Sequence, residues 1–236
     1  MSMLERQLGL LVDGARQIGM PLDDAQTGQF AAFLKELTLF NPTMKLVGAE
    51  GEELVVKHLL DSLTGAPELQ RLASERHWIA PAACDVGSGA GFPGIPLALA
   101  LPHFRFTLIE RSGRRCGFLR NACAVCNLFD RVKVLEMDVS AVKQQFDCVV
   151  LRAVHPLQTM IDELSAITAP GGLICAYKGR REALDEELYV LGTLHAAKGT
   201  DAGSAWGSTI IPLNVPFLEA PRHLWVLERR CMEYTR

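Results

Sequence analysis

The stretch Asp85-Val86-Gly87-Ser88-Gly89-Ala90-Gly91-Phe92-Pro93-Gly94-Ile95-Pro96-Leu97 constrains this chain more than any other. The apolar run Ala82-Ala83-Cys84 closes on an acid. Three glycines then alternate with small residues, and apolar Ile95 to Leu101 follows. That order predicts a strand, a tight turn and a helix. Alternate glycines permit positive φ and leave backbone N–H groups facing outward. A ligand can then approach the main chain at the carboxyl end of a strand, the edge at which open α/β sheets bind.

Spacing narrows the ligand. A dinucleotide fingerprint needs glycine at its first, third and sixth positions; counted from Gly87, the sixth is Phe92. A phosphate-cradling P-loop needs Gly-Lys-Ser/Thr, which occurs nowhere in the chain. What remains is Asp-x-Gly-x-Gly-x-Gly with no base among the glycines. Such a loop suits a zwitterionic ligand without phosphates, whose ammonium group takes a carboxylate partner. It resembles motif I of the S-adenosylmethionine (SAM) methyltransferases, which implies SAM as cofactor and Asp85, Gly87, Gly89 and Gly91 as its site. Downstream, Phe104 to Ile109 reads as a strand, and Glu110 ends it, 21 residues after Gly89. An acid there is placed to accept both ribose hydroxyls of an adenosine.

A chain of 236 residues, 49% hydrophobic, fits one α/β domain with an extension. No apolar run approaches the ~20 residues of a membrane span, and the N-terminus lacks a signal-peptide pattern. Seven cysteines, an odd number, lie in apolar surroundings. Cys123-Ala124-Val125-Cys126 has no partner pair or histidine for zinc, so core thiols of a reducing, cytoplasmic compartment are expected and no metal. The net charge of −3 does not advertise a nucleic-acid binder, but it is uneven. Residues 105–133 hold seven bases against two acids, and further bases follow at Lys178, Arg180, Arg181, Arg222, Arg229 and Arg230. Three basic clusters beside one cofactor site favour an anionic substrate.

Apolar residues at helical spacing predict helices over 4–19, 24–39 and 52–64, with Asp23 or Asp24 as a cap. Beyond the glycine loop, strands are expected at 105–109, 132–135, 148–151 and 173–177. Helices are expected at 113–127, 157–168 and 181–192, with a turn at Pro170-Gly171-Gly172. Segments 210–213 and 223–227 read as two more strands, and 199–208 as a loop. This predicts a doubly wound, mostly parallel, Rossmann-like sheet over 66–236, preceded by a helical extension over 1–65.

The fourth strand, Phe146 to Leu151, carries neither the Asn/Asp-Pro-Pro signature of amino-group methylation of bases nor an exposed cysteine nucleophile. It delivers Arg152 at its carboxyl end. Arginine stays protonated and cannot act as a base, but it can bind phosphate or donate to an acceptor such as guanine O6. That suits a nucleophile with a free lone pair, such as guanine N7, attacked without proton removal. Lys178 closes the fifth strand and Arg222 opens the last. His58 and Asp61 share a helix face.

Together these residues resemble the RsmG family, also called glucose-inhibited division protein B, guanine-N7 methyltransferases of bacterial small-subunit ribosomal RNA. The likeness rests on Lys57-His58-x-x-Asp61-Ser62, Asp85 to Leu97, Phe106 to Glu110, Arg114-Arg115-x-x-Phe118-Leu119-Arg120, Arg152-Ala153, Lys178-Gly179 and Arg222-His223-Leu224. It implies a class I SAM-dependent fold, Gly87, Phe92 and Arg152 in the SAM site, and Asp138-Val139 on the adenine side. With the basic clusters, catalytic roles are expected for Arg152 and Lys178, and RNA contacts at His58, Arg114, Arg115, Arg120, Lys178 and Arg222, although His58 taken alone reads as a structural or capping histidine. The implied partner is 16S rRNA within the small subunit; nothing in the sequence demands a second copy, so a monomer is expected. The segment Phe40 to Val47 departs from the family pattern through Pro42 and Lys45. A small-molecule or protein substrate, or a SAM-binding role without catalysis, stays open at this stage.

Overall fold

The alternating periods close into one sheet. The structure, a computed structural model, describes residues 2–152, 156–197 and 206–229. Its strands are β1 (Ala82–Val86), β2 (Arg105–Glu110), β3 (Val132–Glu136), β4 (Phe146–Arg152), β5 (Thr168–Lys178), β6 (Trp206–Leu213) and β7 (Arg222–Arg229). They lie in the order β3-β2-β1-β4-β5-β7-β6. The first five in that order run parallel; β7 is antiparallel to β5, and β6 antiparallel to β7. Chain order reverses on either side of β1, which opens a crevice at the carboxyl ends of β1 and β4. The central strands read as nearly unbroken apolar runs because both faces are covered. In β4, Cys148 and Val150 pack into one core while Val149 and Leu151 pack into the other. Pro212 sits in β6 at the sheet edge, where its missing N–H disrupts least.

One face carries α6 (Gly94–Ala100) and α7 (Gly113–Val125); the other carries α8 (Ile161–Ile167) and Leu184 of α9 (Arg181–Ala197). The N-terminal helices join the first of these cores. They are α1 (Met3–Gln17), α2 (Asp24–Met44), α3 (Gly51–Leu54), a π-helical turn (Val55–Leu60), α4 (Asp61–Leu63) and α5 (Ala66–Glu75). Asp23 caps α2 through a reciprocal box with Gln26. Phe30, Phe33, Leu34 and Leu37 of α2 are fully buried. Phe33 meets the Phe92 ring at 5.6 Å, and Phe40 meets Phe118 at 6.0 Å. The intruding Pro42 is absorbed in the last turn of α2, which Lys45 ends at φ 52°.

Four expectations change. The helix expected over 52–64 is interrupted by the π turn, and that over 157–168 is a 3₁₀ turn (Leu157–Thr159) followed by α8. The turn at Pro170-Gly171-Gly172 lies inside β5 instead. Partners shift there from Phe146↔Thr168 to Cys148↔Leu173, a bulge that Gly171 permits at φ 74°. Of the loop expected over 199–208, residues up to 205 lie outside the described ones, and 206–208 open β6. Ala153 and Arg230 also lie outside them. Among the described residues, six cysteines are free and buried; burial pushes the thiols of Cys123 and Cys126 up to about 12. No group of described residues could hold a metal ion.

Candidate active site

The glycine loop folds back on the end of β2. Gly87, Gly89 and Gly91 have φ values of 71°, 55° and 87°, which a side chain rarely adopts. This lets Gly89 N–H donate to Glu110 Oε2 at 3.0 Å while Ser112 N–H donates to Oε1 at 2.8 Å. Two backbone donors thus fix a carboxylate that is 5% exposed. Arg115 approaches the same Oε2 at 4.0 Å. A cavity of about 430 Å³ opens in front of it, within the usual size of small-molecule sites. Gly87, Glu110, Arg115, Asp138, Val139 and Arg152 lie on its wall. Val86, Ile109, Met137 and Met160 supply an apolar lining, and Glu163 and Thr159 a polar one. The donor set fits the adenosine-bearing cofactor expected from the sequence: a fixed carboxylate for hydroxyl donors beside apolar walls for a ring. Asp138, at the rim, is held below the usual carboxylate range by hydrogen bonds from the Ser140 N–H and hydroxyl.

Asp85 occupies a different place from the one its sequence position suggested. It is fully buried beneath the loop, absent from the cavity wall, and its Oδ2 accepts the Gly94 N–H at 3.0 Å, tying β1 to the start of α6. Burial pushes its pKa up to about 7, and Oδ1 has no hydrogen-bond partner among the described residues. Gly89, Gly91 and Phe92 likewise are not part of that cavity's wall.

A second cavity of about 380 Å³ is lined by Lys57, His58, Asp61, Arg152, Tyr177, Lys178, Gly179 and Arg222. Arg152 lines both cavities, at the end of β4. Its Nη1 donates to Asp61 Oδ2 at 2.8 Å, and its guanidinium lies 5.1 Å from the Phe92 ring centroid. Arg222 Nε donates to Asp61 Oδ1 at 3.0 Å. Lys178 Nζ pairs with Glu187 at 2.7 Å, and the same carboxylate accepts the Leu157 N–H at 3.0 Å. His58 Nδ1 lies 3.0 Å from Arg152 Nη2, and burial followed by that positive neighbour lowers the His58 pKa to about 4. His58, Arg152, Lys178 and Arg222 therefore converge. Of the α7 arginines, Arg115 lines the first cavity with Arg152, while Arg114 donates to Thr43 O at 2.7 Å and Arg120 pairs with Glu136 at 3.0 Å, apart from the cluster. Asp61 is the residue to which sequence reasoning gave no role. Its signals were the three-residue spacing from His58 and its place in the Lys57-His58-x-x-Asp61-Ser62 string.

A family model described as GidB, rRNA small subunit methyltransferase G, matches residues 26–198. The chain belongs to that family. The ribosomal RNA small subunit methyltransferase G of Treponema pallidum is 36% identical over 238 residues, covering 95% of this chain and 96% of that protein. Its namesake in Burkholderia pseudomallei is 34% identical over 226 residues, covering 93% and 90%. Among solved structures, an O-methyltransferase from Bacillus cereus in complex with SAH gives a TM-score of 0.60 at 17% identity, over 96% of this chain and 100% of that one. Magnesium protoporphyrin IX methyltransferase from Synechocystis, with bound SAM, gives 0.54 at 15%, over 88% and 98%. These two likenesses are of fold. The methyltransferase G family thus shares its class I sheet with enzymes that act on other molecules.

Proposed function

We propose that this protein is a SAM-dependent methyltransferase that methylates N7 of a guanine in 16S rRNA by direct in-line transfer. Membership of the methyltransferase G family supports the substrate class, and one observation carries the chemistry. Among the described residues, the groups around Arg152 in the second cavity are donors, or a carboxylate and a ring already engaged by them. Asp61 is bridged by two guanidinium groups, and His58 has its Nδ1 engaged by Arg152 and a pKa lowered to about 4. Lys178 is paired with Glu187. Among these residues, a nucleophile that must first lose a proton would find no free acceptor. Guanine N7 needs none, because its lone pair is free in the plane of the ring.

SAM, when bound, supplies a methyl group activated on a sulfonium. The chain's part is to orient and to exclude water. Glu110 would accept the ribose hydroxyls, and Val86, Ile109, Met137 and Val139 would hold the adenine, with Asp138 at the rim. Asp85, Gly89, Gly91 and Phe92 shape the loop from behind. Arg152 holds the base at the junction and Lys178 faces it across the second cavity; these are the proposed catalytic residues. His58, Arg222 and the α7 arginines Arg114, Arg115 and Arg120 are the proposed RNA contacts. N7 lies in the deep, narrow groove of A-form RNA, so the target sits in an open or distorted segment. The small subunit in the cytoplasm presents that segment to a monomeric enzyme. No helix among the described residues is long and apolar enough to cross a membrane.

The test is to incubate the protein with methyl-labelled SAM and small subunits from a strain lacking its gene, then to digest the RNA. Label in 7-methylguanosine is expected. Label in another nucleoside, or none in subunits or free rRNA, would overturn the reading.

A further inference from the structure

The helix that holds Arg152 is wound out of register where the two meet. In an α-helix the Asp61 N–H would bond to the carbonyl of Lys57. In the π turn it bonds to Val56 O and His58 O instead. Lys57 O then accepts from Arg152 Nη1 at 3.2 Å. The same nitrogen donates to Asp61 Oδ2, so both of its hydrogens are used. Arginine can only donate, so His58 Nδ1 is the acceptor of the Nη2 contact and the ring proton sits on Nε2. Three of the five guanidinium N–H groups are thereby occupied. The Nε hydrogen and one Nη2 hydrogen have no acceptor among the described residues.

We infer that Asp61 is a positioning residue: with the π turn it locks Arg152 so that those two donors face the substrate base and select a purine bearing an O6 acceptor. The inference rests on the guanine reading. Guanine presents O6 beside N7, where adenine presents an amino donor. A locked donor meets a lone pair in one case and another donor in the other. A mobile arginine would turn away and discriminate less. Asp61 acts through its neighbours; its side chain is 6% exposed, and its second oxygen fixes Arg222 on the same cavity wall. A buried ion pair is weak support for stability because desolvation offsets attraction. What this one adds is orientation at a point where two cavities meet.

The D61N variant keeps the shape and removes the charge. Its kcat on small subunits should fall about 10²-fold while KM changes less than about threefold. D61E should recover part of that loss, and the share of label in 7-methylguanosine should drop in D61N. A second readout is the His58 ring titration followed by NMR. As Arg152 leaves Nδ1, the midpoint should move from about 4 toward 6.5. An unchanged kcat would overturn the inference. So would a His58 midpoint that stays or falls, since Arg152 would then hold its place without Asp61. If neither variant folds, nitrogen-15 spectra of the wild-type Arg152 guanidinium decide: separate Nη signals mark a locked group, and one averaged signal refutes it. Should the wild type transfer no methyl to rRNA, the guanine reading fails by itself. The NMR measurements still report whether Asp61 holds Arg152.

Discussion

Two carboxylates at the glycine loop do opposite work. Glu110 is held by two backbone N–H donors on the wall of the cofactor cavity, whereas Asp85 is sealed beneath the loop. Glu110→Ala should weaken SAM binding by about 1.5–3 kcal/mol, about ten- to a hundredfold in Kd, since a charged hydrogen-bond acceptor is lost. Calorimetric titration checks this, and an unchanged Kd would remove Glu110 from the site. For Asp85 the sign follows from linkage. Its carboxyl ionises at an ordinary 3.8 when unfolded and at about 7 when folded. Its contribution to stability is full below pH 3.8 and is lost as pH rises through about 7, because only the folded form keeps the proton. The Tm of Asp85→Asn minus that of the wild type should therefore grow across that window and level off above it. A pH-independent difference would contradict the burial argument. The acids of the glycine loop were legible in the sequence because strand, turn and next strand are local. The Asp61 pairings were not: its partners Arg152 and Arg222 are 91 and 161 residues away.

Helices with local signals matched their reading, and those shaped by packing did not. The start of α2 was legible at Asp23 because a cap needs only four consecutive residues. Asp23→Ala should cost about 1 kcal/mol, read as a lowered Tm in thermal unfolding, with methyl transfer unchanged. No loss of Tm would mean that Gln26, which also donates to Leu99 O at 3.0 Å, holds the end by itself. The π turn leaves no such mark. Leu54, Val55, Leu59, Leu60 and Leu63 are all buried, so their apolar pattern reads as plain helix whichever hydrogen-bond register is used. The same holds for Pro170-Gly171-Gly172, which spells a turn in isolation. Between β4 and β7 it is drawn into the ladder as a bulge.

At the scale of the whole molecule, the helices before β1 and the face of the sheet share one core. Phe92 sits between Phe33, His58 and Arg152, so the N-terminal helices cover the back of the glycine loop. The full chain should unfold in a single cooperative transition by calorimetry and near-ultraviolet circular dichroism. A fragment of residues 66–236 should show none, because Phe92 and Phe118 would lose the rings of Phe33 and Phe40. Two transitions, or a fragment that folds cooperatively, would make the N-terminal part a unit of its own. The sequence by itself determined the parallel sheet, the glycine loop, the acid that faces it and the arginine at the end of β4. Each depends on periodicity or on spacing within one strand–helix–strand unit. Only the tertiary structure decided that Asp85 is buried, that Arg114 and Arg120 stand apart from the cluster, and that Asp61 joins two arginines at the junction of two cavities. Such contacts form between segments whose separation along the chain carries no periodic signal.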